Sequence, residues 1–243
     1  GSEMCIRDRG SIVLLDNDGI LPLNPNASVA VIGDFAQTPR YQGAGSSQVN
    51  PTRLDNFLDC AGAAGLRITG FAPGYSRTDP APNQELIINA QILAKKSDVV
   101  LMCIGLDEIL ESEGMDRLHM ELSKGQQALI EAVSRTNQNI ILVISGGSPF
   151  VMPERFTYRA AIHGYLGGQA GAGAMVDAIL GKVNPSGKLN ETWPHKLEDT
   201  PSYNYFPSKE RTAEYREGLY IGYRYYDLSL IHISEPTRRY AIS

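Results

Sequence analysis

The segment Ser97-Asp-Val-Val-Leu-Met-Cys-Ile-Gly105 decides the fold that this sequence predicts. Every residue from Val99 to Ile104 is apolar, and Gly105 closes the run. An unbroken apolar run of this length, bounded by a turn residue, is typical of a strand buried on both faces of a parallel sheet. We therefore expect one such strand in the middle of an α/β domain.

The sequence directly after this strand is rich in carboxylates. Residues 106–117, here called the acidic loop, carry a single cation and five acidic residues: Asp107, Glu108, Glu111, Glu113 and Asp116. Loops at the carboxyl ends of parallel strands commonly form a ligand crevice. Crowded carboxylates also raise one another's pKa, and a carboxyl that is partly protonated near neutral pH suits a general acid. We predict that the loop supplies such an acid; the alternative is a solvated acidic loop without a task.

Strand and helix patterns alternate along the rest of the chain. Strands are predicted at 29–33, 66–71, 139–146 and 159–165, with helices at 53–64, 84–96, from Ser123 and at 169–180. Ser123 is a candidate N-cap with Gln126 at the capping-box position, and Gly181 is a candidate C-cap. Ser11 to Leu23, broken by Asn-Asp-Gly, suggests a hairpin-like entry. Together these predict an α/β fold with a doubly wound, mostly parallel sheet of five or six strands and helices on both faces.

The two ends of the chain do not continue these patterns. Residues 1–9 and 229–243 resemble translated sequencing-adapter sequence that flanks a fragment of a gene. We set both segments aside as non-native tails and predict one domain over residues 10–228. On this interpretation the natural protein extends in both directions.

Composition and charge exclude several classes of partner. The net charge is −5, and the chain lacks the clustered Lys and Arg that a phosphate-binding face needs, so we expect no nucleic acid partner. No apolar run reaches the ~18 residues that span a bilayer, so we expect no membrane partner. Cys5, Cys60 and Cys103 lack paired or metal-type spacing and are expected to be buried free thiols.

The histidines and the remaining motifs are weaker candidates. His119, His163 and His195 form no i, i+4 pair, so zinc is not expected, and His163 is interpreted as a satisfied core residue in a strand. The acidic loop does not match a calcium loop, and we expect Asp116 and Arg117 to form a structural ion pair within it. Residues 42–47 form a glycine-rich loop without a dinucleotide fingerprint; it is either a close-approach loop for a ligand or an ordinary turn.

Several phrases nevertheless occur in a characteristic order. They include Arg40-Tyr-Gln-Gly-Ala-Gly-Ser-Ser47, Glu111-Ser-Glu-Gly-Met-Asp-Arg117, Gly167-Gly-Gln-Ala-Gly171, Asn184-Pro-Ser-Gly-Lys-Leu189 and Tyr215-Arg-Glu-Gly-Leu-Tyr-Ile-Gly-Tyr-Arg-Tyr-Tyr226. From Ser11 to about Asp227 the chain resembles the C-terminal α/β-sandwich domain of family 3 glycoside hydrolases, most often β-glucosidases.

The resemblance implies a retaining mechanism shared between two domains. A preceding barrel domain, missing from this chain, would supply an Asp nucleophile, and this domain would supply the acid/base. The matching position is Glu113, with Glu111 in reserve, while Ser46 and Arg40 would line the sugar subsite. The substrate would be a β-linked glucoside or oligosaccharide, no metal or organic cofactor is implied, and the fragment alone should be inactive.

Two other functions stay open at this stage. One is a non-catalytic carbohydrate-binding or small-molecule-binding module of flavodoxin-like form, in which the acidic loop only hydrogen-bonds its ligand. The other is a structural scaffold whose tyrosine-rich segment, residues 203–226, docks a neighbouring domain.

Overall fold

The computed structural model describes residues 2–153, 156–209, 211–212 and 214–229. One sheet of six strands forms its centre, in the order β1-β6-β5-β4-β2-β3. Strand β1 runs antiparallel to β6, and all other neighbours are parallel. The strands are β1 (Val13–Asn17), β2 (Ser28–Ile32), β3 (Arg67–Ala72), β4 (Val99–Gly105), β5 (Ile140–Ser145) and β6 (Ala160–His163).

Helices cover both faces of this sheet. Helices α3 and α4 pack against each other, while α1 and α2 both pack against α5. Right-handed crossovers in opposite directions along the sheet place α2 and α3 on opposite faces. The predicted doubly wound α/β sandwich is therefore confirmed. The helices are α1 (Ser2–Ser11), α2 (Phe57–Ala63), α3 (Gln84–Lys95), α4 (Lys124–Ser134), α5 (Gly171–Ile179) and α6 (Tyr223–Ser229).

Strand β4 occupies the position that its composition predicts. All of its residues are buried, and it pairs with β2 on one side and β5 on the other. Gly105, its last residue, has φ +146°, and a Cβ there would lie 1.7 Å from the carbonyl oxygen of Ser145. Only glycine lets β4 approach β5 this closely at the point where the chain enters the acidic loop.

The predicted hairpin-like entry is wrong. The turn itself forms, because Asn17 Oδ1 accepts hydrogen bonds from the N–H groups of Gly19 and Leu21. The chain after the turn does not run back along β1, which instead pairs with the free edge of β6. That edge lies far away in the sequence, so a local turn signal cannot reveal it.

The predicted helices form with small differences in their ends. Helix α2 begins only at Phe57, because the Asn56 side chain caps it by accepting a hydrogen bond from the Asp59 N–H. Helix α5 ends at Ile179, and Gly181 follows with φ +69°, as expected of a C-cap glycine.

The structure describes residues 2–9 of the first terminal segment but only residue 229 of the second. Residues of the first segment form helix α1, although the sequence shows no helical period there, and Arg9 pairs with Asp177 of α5 at 2.5 Å. This contact does not test whether the segment is native, which stays a prediction together with the 10–228 domain bounds. In the second segment, residues 230–243 lie outside the described residues.

Other predictions about the chain concern thiols, tyrosines and membranes. Cys103 is a buried free thiol, whereas Cys60 is a free thiol that is only partly buried. Most rings of the tyrosine-rich segment are exposed, with Tyr215 at 98%, whereas Tyr225 and Tyr226 are partly buried, and packing of the segment against another domain stays a prediction. Within the described ranges, no helix has the length and apolar character needed to cross a bilayer.

His163 lies buried in β6, as predicted, but one of its two ring nitrogens is not satisfied. Its ring packs against Tyr165 at 4.0 Å and Trp193 at 5.3 Å between ring centroids. Its Nδ1 atom is buried and lacks a hydrogen-bond partner. Burial lowers the pKa of His163 to about 4, because the charged imidazolium would lose its hydration.

We expect the domain to become less stable as the pH decreases below about 6.5, because His163 is neutral in the folded state. Its folded pKa lies below the unfolded value of about 6.5, so the unfolded state binds the proton first. The stability contributed by the neutral ring is present above that value and is lost as the pH falls toward 4. Urea unfolding should show that the wild type loses about 2 kcal/mol more between pH 7 and pH 5 than His163→Gln does. Equal losses in both proteins would contradict this assignment.

Candidate active site

The acidic loop begins at a peptide held by a buried glutamine. Gln126 Oε1 accepts a hydrogen bond from the Gly105 N–H at 3.0 Å, and its Nε2 donates to the Gly105 carbonyl at 2.9 Å. Ser123 caps helix α4 by accepting from the Gln126 N–H, as predicted. The Gln126 side chain does not complete a capping box, however, because it pairs with the strand instead. Helix α4 thus fixes the point at which the loop leaves β4.

The first two carboxylates of the loop have structural partners. Asp107 is buried, and its Oδ1 accepts hydrogen bonds from the N–H groups of Ile109 at 3.0 Å and Leu110 at 2.8 Å. Glu108 pairs with Arg77 at 3.5 Å. Both side chains shape the first turn of the loop.

Glu111 is turned toward the segment that follows β5. The Gly147 N–H donates to both of its carboxylate oxygens, at 3.1 and 2.8 Å, and Ser148 Oγ donates to Oε1 at 2.7 Å. Arg40 Nη2 lies 3.6 Å from Oε2. A Cβ at Gly147 would lie 2.9 Å from Glu111 Oε1, so a larger residue there would displace the carboxylate.

Arg40 lies beneath the acidic loop. Its side chain is buried, with Nε donating to the Leu106 carbonyl at 3.2 Å and Nη2 donating to the Glu111 carbonyl at 3.1 Å. These contacts give Arg40 a part in holding the loop. That it also lines a sugar subsite stays a prediction.

Glu113 stands on the exposed part of the loop and contacts the glycine-rich loop. Its Oε2 accepts hydrogen bonds from Ser46 N–H at 2.8 Å and from Ser46 Oγ at 2.5 Å. Gly45, with φ +99°, makes room for this contact, because a Cβ there would lie 2.9 Å from the Glu113 Cβ. The structure therefore brings together Ser46 and Glu113, two of the residues singled out from the sequence.

The expected effect of crowding on the pKa is wrong for Glu113. Hydrogen bonds from the Ser46 hydroxyl and backbone N–H lower the pKa of Glu113, because they stabilise its charged form. Glu111 and Glu108 point to other partners, and the Glu113 side chain is open to solvent. In this chain Glu113 is therefore an ionised carboxylate at neutral pH.

The end of the loop is also fastened to the segment after β5. Arg117 Nη1 donates to the Pro149 carbonyl at 2.8 Å and to Ser148 Oγ at 3.2 Å. The predicted ion pair with Asp116 is wrong, because the guanidinium of Arg117 turns inward to Ser148 and Pro149 while Asp116 is exposed. Behind Arg117, Glu191 borders a cavity of about 290 Å³, and burial raises the pKa of Glu191.

The sequence and the fold of this chain resemble those of known proteins. Residues 12–223 match the family described as the glycosyl hydrolase family 3 C-terminal domain. The chain belongs to glycosyl hydrolase family 3. This family 3 domain is 46% identical over 220 residues to thermostable β-glucosidase B of Acetivibrio thermocellus, and the match covers 89% of this chain and 29% of that protein.

Two further relatives support the assignment. An exo-α-(1→6)-L-arabinopyranosidase of Bifidobacterium longum is 44% identical over 232 residues, covering 89% of this chain and 30% of that protein. The crystal structure of a family 3 β-glucosidase of Bifidobacterium adolescentis superimposes with a TM-score of 0.86 at 43% identity, covering 93% of this chain and 33% of that one. This family 3 domain thus spans about a third or less of the length of these relatives.

Sequence reasoning missed the contacts that hold the acidic loop in place. Gly147 and Ser148 bind the loop, Gln126 fixes the Gly105 peptide from which it starts, and Glu191 lies behind it. A signal for two of them was available, because Ser145-Gly-Gly-Ser-Pro149 places small residues at the carboxyl end of a predicted strand. Within the ranges that the structure covers, no group of three His, Cys, Asp or Glu side chains is arranged to hold a metal ion.

We expect Ser46→Ala to raise the pKa of Glu113 toward its usual value of about 4.3, because the hydroxyl hydrogen bond to the charged form is lost. Titration of the Glu113 carboxyl carbon by NMR in the isolated family 3 domain measures this shift. Ser47→Ala is the matched control, since it removes the adjacent exposed hydroxyl. An unchanged titration in Ser46→Ala, or the same rise in Ser47→Ala, would contradict the contact.

We expect Gln126→Leu to destabilise the family 3 domain by about 2–4 kcal/mol, because it leaves both polar groups of the Gly105 peptide buried without partners. The free energy of unfolding in urea gives the comparison. Gln127→Leu should cost less, since Gln127 is only partly buried and donates one hydrogen bond, to the Leu122 carbonyl. A loss no larger than that of Gln127→Leu would be inconsistent with this role for Gln126.

Proposed function

We propose that this domain supplies the general acid/base of a retaining β-glycosidase of family 3, with Glu113 as the group that transfers the proton. The contact between Glu113 and Ser46 carries this proposal. Among the acidic-loop carboxylates, Glu113 is the one that is exposed and also faces the glycine-rich loop. Asp107, Glu108 and Glu111 are engaged by partners within the domain.

The proposed reaction needs a second carboxylate from outside this chain. In a retaining glycosidase one carboxylate attacks the anomeric carbon, while the acid protonates the departing oxygen and later activates water. The two carboxyl groups stand ~5 Å apart. We assign the nucleophile to the missing barrel domain, because the family 3 relatives are about three times as long as this chain or longer. The isolated chain is therefore inactive on this proposal.

The pKa of Glu113 must rise before this carboxyl can act as the general acid. A general acid must be protonated before it acts, whereas Glu113 is ionised in this chain. A sugar hydroxyl that takes the Ser46 hydrogen bond, together with a domain that excludes water, would remove the two effects that favour the charged form. Ser46 would then contact the sugar, and Arg40 would hold the loop beneath it.

The substrate class follows from the relatives only in outline. Two of the relatives described above are β-glucosidases, and a third is an arabinopyranosidase. We propose a β-linked glucoside or oligosaccharide as the substrate. The chemistry is completed by two carboxylates, so the proposal includes no cofactor.

A binding module is the second candidate. An ionised, solvent-facing carboxylate beside a serine hydroxyl can accept hydrogen bonds from sugar hydroxyls without any proton transfer. On this alternative Glu113 contributes only affinity for the sugar.

In the full-length protein, Glu113→Ala should lower kcat/KM for glucosides with poor leaving groups roughly 10²- to 10⁴-fold, because these groups need protonation to depart. Activated aryl glucosides should be affected much less, and azide should restore their turnover. Asp116→Asn, which changes an exposed carboxylate in the same loop, is the control and should leave kcat/KM unchanged. Equal losses for all leaving groups would favour the binding module.

A further inference from the structure

The acidic loop is fastened to one short segment on both sides of Glu113. Glu111, before it, binds Gly147 and Ser148, and Arg117, after it, binds Ser148 and Pro149. Ser148 joins the two attachments, because its hydroxyl donates to Glu111 and accepts from Arg117. Residues 147–149, here called the anchor segment, therefore hold the acidic loop on both sides of Glu113.

The anchor segment is itself well fixed. It follows β5, whose residues are all buried between β4 and β6. Gly146 packs against Leu106 at the start of the acidic loop, where a Cβ would lie 3.4 Å from the Leu106 Cβ. The anchor segment and the beginning of the loop are thus tied to neighbouring central strands.

The contacts of Glu111 indicate a role different from proton transfer. Its carboxylate accepts three hydrogen bonds from Gly147 and Ser148 and lies beside Arg40, so most of its acceptor sites are used. Arg40 Nη2 also donates to the Glu111 backbone carbonyl, which fixes the main chain at the same residue. Proton transfer to a sugar oxygen would require Glu111 to leave these partners, whereas Glu113 is already exposed.

We propose that Glu111 is a positioning residue: it ties the acidic loop to the anchor segment so that Glu113 stands at the glycine-rich loop. This proposal rests on the function proposed above. A displacement of about 1 Å at a reacting group can cost on the order of 10²-fold in rate, so a positioning contact next to the acid is measurable.

The test uses kcat/KM of the full-length protein on glucosides with poor and with activated leaving groups. Glu111→Ala should lower kcat/KM for poor leaving groups roughly 10- to 100-fold and affect activated ones little. Glu111→Gln should retain more activity than Glu111→Ala, because its amide oxygen still accepts from the Gly147 N–H. Ser148→Ala should show a smaller loss of the same kind. Thermal unfolding of each variant shows whether the fold is kept.

The decisive comparison is the double variant. If Glu111 acts through Glu113, adding Glu111→Ala to Glu113→Ala should cause no further loss on poor leaving groups. The positioning role is overturned by a full additional loss in the double variant, or by losses that are equal for all leaving groups. It is also overturned if Glu111→Gln is as inactive as Glu111→Ala and azide rescues both, since Glu111 would then be the acid. If Glu113→Ala alone spares poor leaving groups and Glu111→Ala does too, the proposed function itself fails.

Discussion

The pairing of the buried Gln126 amide with the Gly105 peptide is the constraint on which the site depends. Gly105 ends the central strand, and its φ of +146° and close approach to Ser145 leave no room for a side chain. At this end of the strand the Leu106 N–H still donates to the Ser145 carbonyl, and Gln126 supplies partners for both polar groups of Gly105. A buried peptide group without such a partner costs on the order of 1–3 kcal/mol, so the exit direction of the loop is strongly fixed.

Beyond this point, the acidic loop is stable because most of its charges have separate partners. Backbone N–H groups hold Asp107, Arg77 pairs with Glu108, and the anchor segment binds Glu111. Separate partners keep the carboxylates apart, so their mutual repulsion is small and Glu113 is not driven toward protonation. Composition gives the number of charged residues in a segment, but the pKa of each carboxyl depends on the groups that its side chain contacts.

The sequence predicted the features of this domain that depend on local pattern. The apolar run of β4, the Ser123 cap and the glycine after α5 all follow from periodicity or turn chemistry, and they were confirmed. The hairpin, the capping box of Gln126 and the Asp116–Arg117 pair were wrong, because in each case a partner distant in sequence competed with the local one. Arg117, for example, donates to Ser148 and Pro149, which lie 31 and 32 residues away. Family resemblance brought Ser46 and Glu113 to attention together, although no spacing rule connects them.

On the proposed function the isolated domain is one half of an active site, and the charge state of Glu113 is consistent with that proposal. A solvent-facing carboxylate with two hydrogen-bond donors is stable as an anion, which is the wrong state for donating a proton. On the same proposal the carboxylate would become a suitable acid when its surroundings lose water and its donors turn to a sugar, since both changes disfavour the charge. On the proposed function, this domain therefore contributes the position of Glu113, through Gln126 and the anchor segment. The protonation state of Glu113 is then set by the domain and the substrate that close over it. A division of this kind also explains why the rigid contacts lie beneath the loop, where they hold the main chain, while the face around Ser46 is left open to solvent.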